Sequence, residues 1–248
     1  MLNSHSPIGK FLDLFHDWSL FVLIIISFLV FSIIVIFSLN TFRFNDCTEN
    51  KFLELIWTVI PGLVLLLVVV PSFYGLYLLD LNSYIFPLSS VKIIGRQWYW
   101  SYNYTPRSLA VNYGNENNIV LSYDSYLNNY STNTVRGLDV DTPLVLVSKI
   151  VTRLLLSSSD VIHSFAVPQL GFKLDCVPGR LNSSFILMGH VGKFYGQCSE
   201  ICGANHSFMP ISIECLPSDY VFFSHNNEIL NLINGNNSHN WFWRLLGY

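Results

Sequence analysis

The sequence predicts two membrane-spanning helices followed by an all-β domain. The chain is 51% hydrophobic and only 12% charged, whereas an ordinary soluble domain carries about 25% charged residues. Most of the apolar excess lies before residue 80, and short β-rich segments separated by turn residues follow residue 91. The 248 residues suit an anchor plus one domain, and a net charge of −3 without a basic stripe argues against nucleic-acid binding.

The first predicted span is built on an uncharged run, Phe21–Leu39. At 1.5 Å per residue, a run of this length crosses a hydrocarbon core about 30 Å thick. It is longer than the apolar part of a signal peptide, and no small-residue cleavage site follows it. We therefore expect a retained anchor at about residues 19–40.

A second uncharged run, Leu55–Leu79, predicts a span at about residues 55–79. Its two prolines are tolerated better in membrane helices than in soluble ones. The loop between the spans carries Arg43 and Lys51, whereas the N-terminal tail carries only Lys10. The positive-inside rule then places the loop inside, and both termini and the β domain outside.

The remainder of the chain divides into a β domain at 91–225 and a C-terminal extension at 226–248, after an N-terminal part at 1–90. Turn residues interrupt the β-rich runs every 8–12 residues or so, as in sandwiches and barrels. The polar segment 105–135, which includes an insertion at 105–120, is expected to form a long surface excursion. The predicted strand segments are Val91–Tyr104, Leu144–Leu156, Ser184–Met188, Lys193–Gln197 and Met209–Leu216.

One short segment, Gly196–Pro210, concentrates Cys198, Cys202, His206 and Met209. Thiolates, imidazoles and thioethers are soft or borderline ligands that select copper or zinc over magnesium or calcium. The thioether favours copper, because zinc sites use Cys, His and carboxylate. The second thiolate is surplus at one copper, but it is expected if both thiolates bridge two coppers.

Two coppers require a second imidazole, and His163, at the head of a strand-like run, is favoured over His190. His190 lies beside Gly189 and close to Gly192, so it is interpreted as a turn residue. Two other uses of the cysteines stay open at this point. They could form a disulfide in an oxidising compartment, or bind structural zinc with two histidines.

At these residues the chain resembles subunit II of the haem–copper cytochrome c oxidases. The resemblance covers nearly the whole chain and rests on the two-span hairpin and on three motifs. It implies a cupredoxin-like Greek-key barrel that carries the binuclear copper centre CuA. The motifs are QWYWSY at Gln97–Tyr102, DVIHSFAVPQLGFKLDCVPGR at Asp160–Arg180 and YGQCSEICGANHSFMPI at Tyr195–Ile211.

The resemblance also implies a ligand set: two bridging thiolates, one imidazole for each copper, and one weak ligand for each copper. The side chain of Glu200 would reach a Mg²⁺ shared with subunit I, which suits a hard carboxylate ligand. The implied copper ligands are Cys198 and Cys202, His163 and His206, and Met209 with the backbone carbonyl of Glu200.

The function implied by the resemblance is electron transfer from cytochrome c to haem a of subunit I, for reduction of O₂ to water coupled to proton pumping. Trp98 would be the point at which the electron enters, and Glu54 would lie at the mouth of a proton-uptake path. The segment after QWYWSY is usually acidic in the family, but here residues 106–120 contain a single acidic residue, Glu116. Docking of cytochrome c is therefore expected to depend on other acids, namely Asp124, Asp139, Asp141 and Asp160.

The implied location is the mitochondrial inner membrane, among lipid and the other oxidase subunits, with the β domain on the intermembrane-space side. A bacterial plasma membrane, with the domain outside, is the alternative. Two other functions stay open: a membrane-anchored copper-binding or copper-delivery protein, and a β domain with structural zinc. Quinol-oxidising relatives lack the copper ligands. The remaining thiols, Cys47, Cys176 and Cys215, are expected to be inert.

Overall fold

Two long helices occupy the first part of the chain, and ten strands follow in the residues that the structure describes. The computed structural model describes residues 3–41, 49–79, 87–104, 121–128 and 135–218. The predicted fold class, a two-helix hairpin followed by an all-β cupredoxin-like domain, is confirmed. The insertion at 105–120, the extension at 226–248 and Cys47 lie outside the described residues, and the domain boundaries at 90 and 225 stay predictions.

The helices are α1, Pro7–Leu39, and α2, Lys51–Leu79, and both begin before the predicted spans. At the start of α1 the Ser6 hydroxyl accepts a hydrogen bond from the Gly9 N–H at 2.9 Å, and Pro7 occupies the first turn. Both features favour a helix start. The span was predicted from hydropathy, which detects only the apolar part of the helix. The helix itself begins earlier, at the capping residue Ser6.

Each helix contains an 18-residue window of high mean hydropathy, 3.4 in α1 and 2.5 in α2, with none of the window buried. A core helix of a soluble domain would bury such a window within its own chain. The apolar surface of these helices is therefore available to lipid or to other subunits.

The two helices pack antiparallel. The Phe11 ring lies against Tyr74, with centroids 5.5 Å apart, and the Trp18 indole N–H donates to the Leu67 carbonyl at 3.4 Å. Pro71, four residues after Leu67, has no N–H and cannot make the helical hydrogen bond to that carbonyl. Trp18 therefore supplies a donor that the proline removes.

The strands form two five-stranded sheets, and the loops between them include short 3₁₀ turns at Pro168–Leu170 and His206–Phe208. The strands are β1 Ser89–Arg96, β2 Tyr99–Tyr104, β3 Leu121–Ser125, β4 Leu144–Val147, β5 Val151–Ser158, β6 His163–Val167, β7 Phe172–Cys176, β8 Asn182–Leu187, β9 Gly192–Cys198 and β10 Pro210–Leu216. The first sheet has the order β3-β2-β1-β5-β8 and the second the order β4-β10-β9-β6-β7.

The structure corrects three strand predictions. The predicted strand at 144–156 is two strands in different sheets, separated by a turn in which Lys149 adopts a φ of 60°. The predicted strand at 91–104 is likewise divided, by a turn at residues 97 and 98. The prediction of a surface excursion at 105–135 is wrong for Leu121–Ser125, which form β3 and pair with β2 at the edge of the first sheet. An apolar pattern indicates only that residues are buried. It continues without interruption through a tight turn between two strands, so it does not show where one strand ends and the next begins.

The core lies between the two sheets. Trp100 of β2 and Phe165 of β6 meet edge to face there, with ring centroids 5.1 Å apart, and both are fully buried. Phe165 pairs directly with Cys198 of β9, so both side chains lie on the core face of the second sheet. His163, two residues before Phe165, lies on the same face, and the pairing therefore brings the imidazole beside the thiol.

Candidate metal centre

His163 is positioned beside Cys198 by the pairing of β6 with β9 and by the close approach of Gly95. The imidazole is fully buried at the start of β6, and its Nδ1 lies 4.0 Å from the Cys198 Sγ at the end of β9. Gly95 of β1 lies directly against the ring: a Cβ at position 95 would lie 2.8 Å from the His163 Cδ2. Only glycine allows this approach of the first sheet to the imidazole.

The other predicted ligands come from residues 199–209, which connect β9 to β10 and are called the metal loop below. The buried Cys202 Sγ lies 3.5 Å from the His206 Nδ1 and 3.5 Å from the Met209 Sδ. The Glu200 carbonyl oxygen lies 3.3 Å from the Cys198 Sγ. Because β9 and β10 are neighbours, with Gln197 opposite Pro210, the loop folds back over the end of the sheet.

The ligand atoms of His163, Cys198 and Cys202 all lie within 4.8 Å of one another. The two cysteines are free thiols, so the disulfide considered from the sequence is not formed in this structure. His190 is exposed and lies just before the opposite end of β9 from Cys198. Of the two candidate imidazoles, the fold thus brings His163 to the thiols.

The two thiols differ in acidity. Burial raises the pKa of Cys198, but hydrogen bonds with His163 and the backbone outweigh burial and lower it below the ordinary value. Burial and the neighbouring Cys198 raise the pKa of Cys202 above the ordinary value. Near neutral pH the metal-free pair therefore holds at least one proton. Binding of a cation favours both thiolates and releases that proton.

The donor chemistry fits copper. Two thiols, two imidazoles and a thioether converge, and these are the ligands that soft and borderline metals prefer. The thioether of Met209 is 2% exposed and touches the Cys202 sulfur, so it belongs to the cluster. Structural zinc sites use Cys, His and carboxylate and give such a thioether no role.

Asp160 connects the cluster to the Gln97–Trp98 turn. Its Oδ1 lies 2.8 Å from the His163 Nε2, and its Oδ2 accepts from the Gln97 N–H at 2.7 Å. Burial raises the pKa of Asp160, but its hydrogen bonds with His163 and with two backbone N–H groups hold it below the ordinary value. Burial lowers the pKa of His163, whereas Cys198 and Asp160 raise it, with a net increase.

Trp98, predicted as the point of electron transfer, lies against the metal loop. A Cβ at Gly203 would lie 3.2 Å from the Trp98 Cζ2, and Gly203 itself has a φ of 124°, which favours glycine. The Gln97 side chain donates to the Cys202 carbonyl at 2.9 Å. The turn between β1 and β2 is thus attached to the loop that carries the predicted ligands.

The predicted docking acids differ in exposure. Asp124, Asp141 and Asp160 are exposed at residue level. Asp139 is 5% exposed, forms an ion pair with Lys193 at 2.7 Å and accepts from the Tyr195 hydroxyl. Asp160 has both oxygens occupied by the contacts described above. These four docking assignments stay predictions, and Asp139 has the least free carboxylate surface of the four.

The remaining predicted residues are Glu54, Cys176, Cys215 and the side chain of Glu200. Glu54 occupies the first turn of α2 and is exposed. Burial raises the pKa of Cys176 and of Cys215 to about 12 in each case, so neither thiol ionises readily. The Glu200 side chain is partly exposed at the metal loop.

Three residues at the site were missed by sequence reasoning: Gln97, Gly95 and Trp100. The Trp100 indole N–H donates to the Met209 carbonyl at 3.3 Å, and its ring lies edge-on to His163 at 6.0 Å. Each of these contacts joins residues 63 to 109 positions apart, and no local pattern signals such a contact. Gln97 and Trp100 lie within the QWYWSY motif, and their place in that motif is the sequence feature that could have identified them as site residues.

The comparisons with known proteins agree over both parts of the chain. Residues 89–216 match the family profile "Cytochrome C oxidase subunit II, periplasmic domain", and residues 1–74 match the transmembrane domain of the same family. Cytochrome c oxidase subunit 2 of Aedes aegypti is 42% identical, and that of Simulium vittatum 44%, over 222 residues in each case. Each of these alignments covers 88% of this chain and 91% of the relative.

Among solved structures, one similar chain is the periplasmic domain of subunit II of cytochrome oxidase from Bradyrhizobium japonicum. It is 36% identical, with a TM-score of 0.47, and the match covers 56% of this chain and 91% of that one. The insect relatives and the two family profiles together span nearly the whole of this sequence. The chain therefore belongs to the cytochrome c oxidase subunit II family and is a membrane-bound subunit of a respiratory oxidoreductase.

Proposed function

We propose that this subunit accepts single electrons from cytochrome c at a CuA centre and passes them to the haem of subunit I. Oxygen reduction to water and proton pumping would take place on the partner subunit. The observation that carries the proposal is the buried convergence of His163, Cys198 and Cys202, with His206 and Met209 in contact with Cys202. A copper pair bound there would supply one-electron redox chemistry.

In this proposal the chain's own side chains hold and shape the centre. Cys198 and Cys202, as bridging thiolates, would hold the two coppers together with the imidazoles of His163 and His206, one for each copper. Met209 and the Glu200 carbonyl would be the weak ligands. Burial in a packed β domain limits movement of these groups, so a change of charge requires little rearrangement.

Residues around the centre contact the partners of the subunit in this proposal. Trp98, which packs on Gly203 of the metal loop, is where the electron from cytochrome c enters. The candidate docking acids are Asp124, Asp139, Asp141 and Asp160, of which Asp139 is the least available because it is buried and paired with Lys193. The Glu200 side chain shares a Mg²⁺ with subunit I, and Glu54 lies at the mouth of a proton-uptake path. Among the docking acids, Asp124 and Asp141 are favoured, because both are exposed and neither contacts a predicted copper ligand.

We place the subunit in the mitochondrial inner membrane, with the β domain and both termini on the intermembrane-space side. Insect mitochondrial relatives support the organelle, and the cations Arg43 and Lys51 between the spans support the sidedness. We keep the division into 1–90, 91–225 and 226–248 as a proposal for the domains.

The test is metal content and EPR of the purified full chain, reconstituted with copper in detergent. Two coppers per chain, with one unpaired electron split by both nuclei, are expected. The Cys202→Ser variant should lose this shared pattern, because one bridge is removed. Cys215→Ser is the matched control, since Cys215 is also buried and free, and it should retain the pattern.

One copper with a single-nucleus pattern in the unsubstituted chain would contradict the binuclear centre. Zinc alone would support the structural-zinc alternative instead. An equal loss of signal in Cys202→Ser and Cys215→Ser would show a general folding defect and remove the support for a bridging role.

A further inference from the structure

We infer that Asp160 is a positioning residue that orients His163 for copper and anchors the Gln97–Trp98 turn to the same carboxylate. The inference rests on the proposed copper centre. It assigns Asp160 a role inside the protein, in addition to the docking role suggested by the family resemblance.

Both oxygens of Asp160 are used within the domain. Oδ1 contacts the His163 Nε2 at 2.8 Å and accepts from the Val161 N–H at 2.7 Å and from the Ser158 hydroxyl at 3.3 Å. Oδ2 accepts from the Gln97 N–H at 2.7 Å. The side chain is 30% exposed, so these internal contacts are made at the edge of the surface and part of the carboxylate stays accessible.

These contacts determine which nitrogen of His163 can bind metal. An ionised carboxylate only accepts hydrogen bonds, so the proton of the neutral imidazole must lie on Nε2. The lone pair of Nδ1 is then directed at the cluster, where the Cys198 Sγ lies 4.0 Å away. A carboxylate behind a ligating histidine orients the ring and increases its basicity.

The same carboxylate also controls the turn that carries Trp98. Asp160 holds the Gln97 backbone, and the Gln97 side chain donates to the Cys202 carbonyl at 2.9 Å. A short chain of hydrogen bonds therefore runs from His163 through Asp160 and Gln97 to the second thiol residue. The turn that carries Trp98 is thus attached both to the His163 end of β6 and to Cys202 in the metal loop.

The experiment compares Asp160→Asn with Asp141→Asn in the full chain reconstituted with copper. Both variants remove one negative charge, but Asp141 accepts from Tyr126 and Thr142 and contacts no predicted ligand. Asp160→Asn is expected to weaken copper binding about 10–100-fold, to alter the copper hyperfine pattern, and to shift the reduction potential to more positive values. Asp141→Asn should keep the copper affinity, the EPR spectrum and the potential of the unsubstituted chain.

A docking role makes a different prediction for the assembled oxidase. If Asp160→Asn raises only the KM for cytochrome c and leaves the EPR spectrum and potential unchanged, the inference is overturned. Should Asp160→Asn fail to accumulate, Asp160→Glu decides, because it retains the charge one methylene further along the side chain. An altered spectrum in that variant supports positioning, whereas an unaltered spectrum and potential contradict it.

The outcome separates this inference from the proposed function. An unsubstituted chain that binds no copper pair would refute the proposed function. An unsubstituted chain with two coppers, whose Asp160→Asn variant has the same affinity, spectrum and potential, would refute the positioning role alone.

Discussion

The His163 imidazole has two close neighbours that determine its position. The Asp160 carboxylate contacts its Nε2, and the backbone of Gly95 packs directly against the ring because it carries no side chain. The ring is fully buried, and Trp100 lies edge-on to it. Burial without a hydrogen-bond partner would be costly for such a polar group, and Asp160 supplies the partner. Because all three neighbours come from other strands or loops, the position of this one residue depends on the packing of the whole domain.

At the residue scale, we predict that Gly95→Ala displaces the imidazole. The added methyl would lie 2.8 Å from Cδ2 and 2.9 Å from Cγ of His163, so either the ring or β1 must move. We expect destabilisation of about 1–3 kcal/mol together with weaker copper binding. Denaturant unfolding and copper titration measure the two effects.

The matched control is Gly62→Ala in α2, where an added Cβ meets no atom within 4 Å. This control should bind copper as the unsubstituted chain does. Equal copper affinity in Gly95→Ala and Gly62→Ala would show that the ring tolerates the methyl and that close approach at Gly95 is unimportant for the site.

At the scale of elements, the helical hairpin has one polar contact with a clear cause. Pro71 leaves the Leu67 carbonyl without its helical donor, and the Trp18 indole of α1 donates to that carbonyl. In a membrane an unsatisfied carbonyl cannot turn to water, so neighbouring helices commonly supply the missing donor. The contact therefore specifies the register in which α1 and α2 pack.

We predict that Trp18→Phe, which keeps an aromatic ring and removes the N–H, weakens this pairing by about 0.6–1.7 kcal/mol. Pro71→Ala restores a backbone N–H for Leu67, so the cost of Trp18→Phe should nearly vanish in that background. The four chains of this double-mutant cycle are compared by unfolding in detergent. The same cost in both backgrounds would show that Trp18 acts by packing alone.

At the scale of the whole molecule, the charge balance of the outer part governs how a basic partner is attracted. From Leu81 onward the sequence holds ten acidic and ten basic residues. Within the domain, Lys193 neutralises Asp139, and Asp160 is engaged with His163. Asp124, Asp141 and Asp160 are exposed, but of these three only Asp124 and Asp141 make no contact with a predicted copper ligand. Long-range electrostatic steering is therefore expected to be weak.

We predict that turnover of the assembled oxidase with cytochrome c falls only modestly as ionic strength rises. Asp124→Asn should make this dependence smaller still, because an exposed charge is lost. Asp139→Asn should lower the stability of the domain, through loss of the Lys193 ion pair, and leave the salt dependence as it was. A steep fall of turnover with salt in the unsubstituted oxidase would contradict the prediction.

Some features of this protein follow from composition and local pattern. Uncharged runs predict the two spans, because lipid selects apolar side chains all round a helix. The donors from Cys198 to Met209 are close enough in sequence to suggest one metal site, and their chemical types indicate copper. Strand positions were only partly predictable, since the turns at 97–98 and 148–150 leave the apolar pattern uninterrupted.

The sequence by itself determined the membrane anchor, the β character of the outer domain and the chemical identity of the metal loop. Only the tertiary structure decided that His163 rather than His190 meets the thiols, that Asp160 lies behind that imidazole, and that Gln97 reaches Cys202. The physical reason is the range of the interactions. Hydropathy and ligand spacing are local, whereas these contacts depend on which strands pair and in which register.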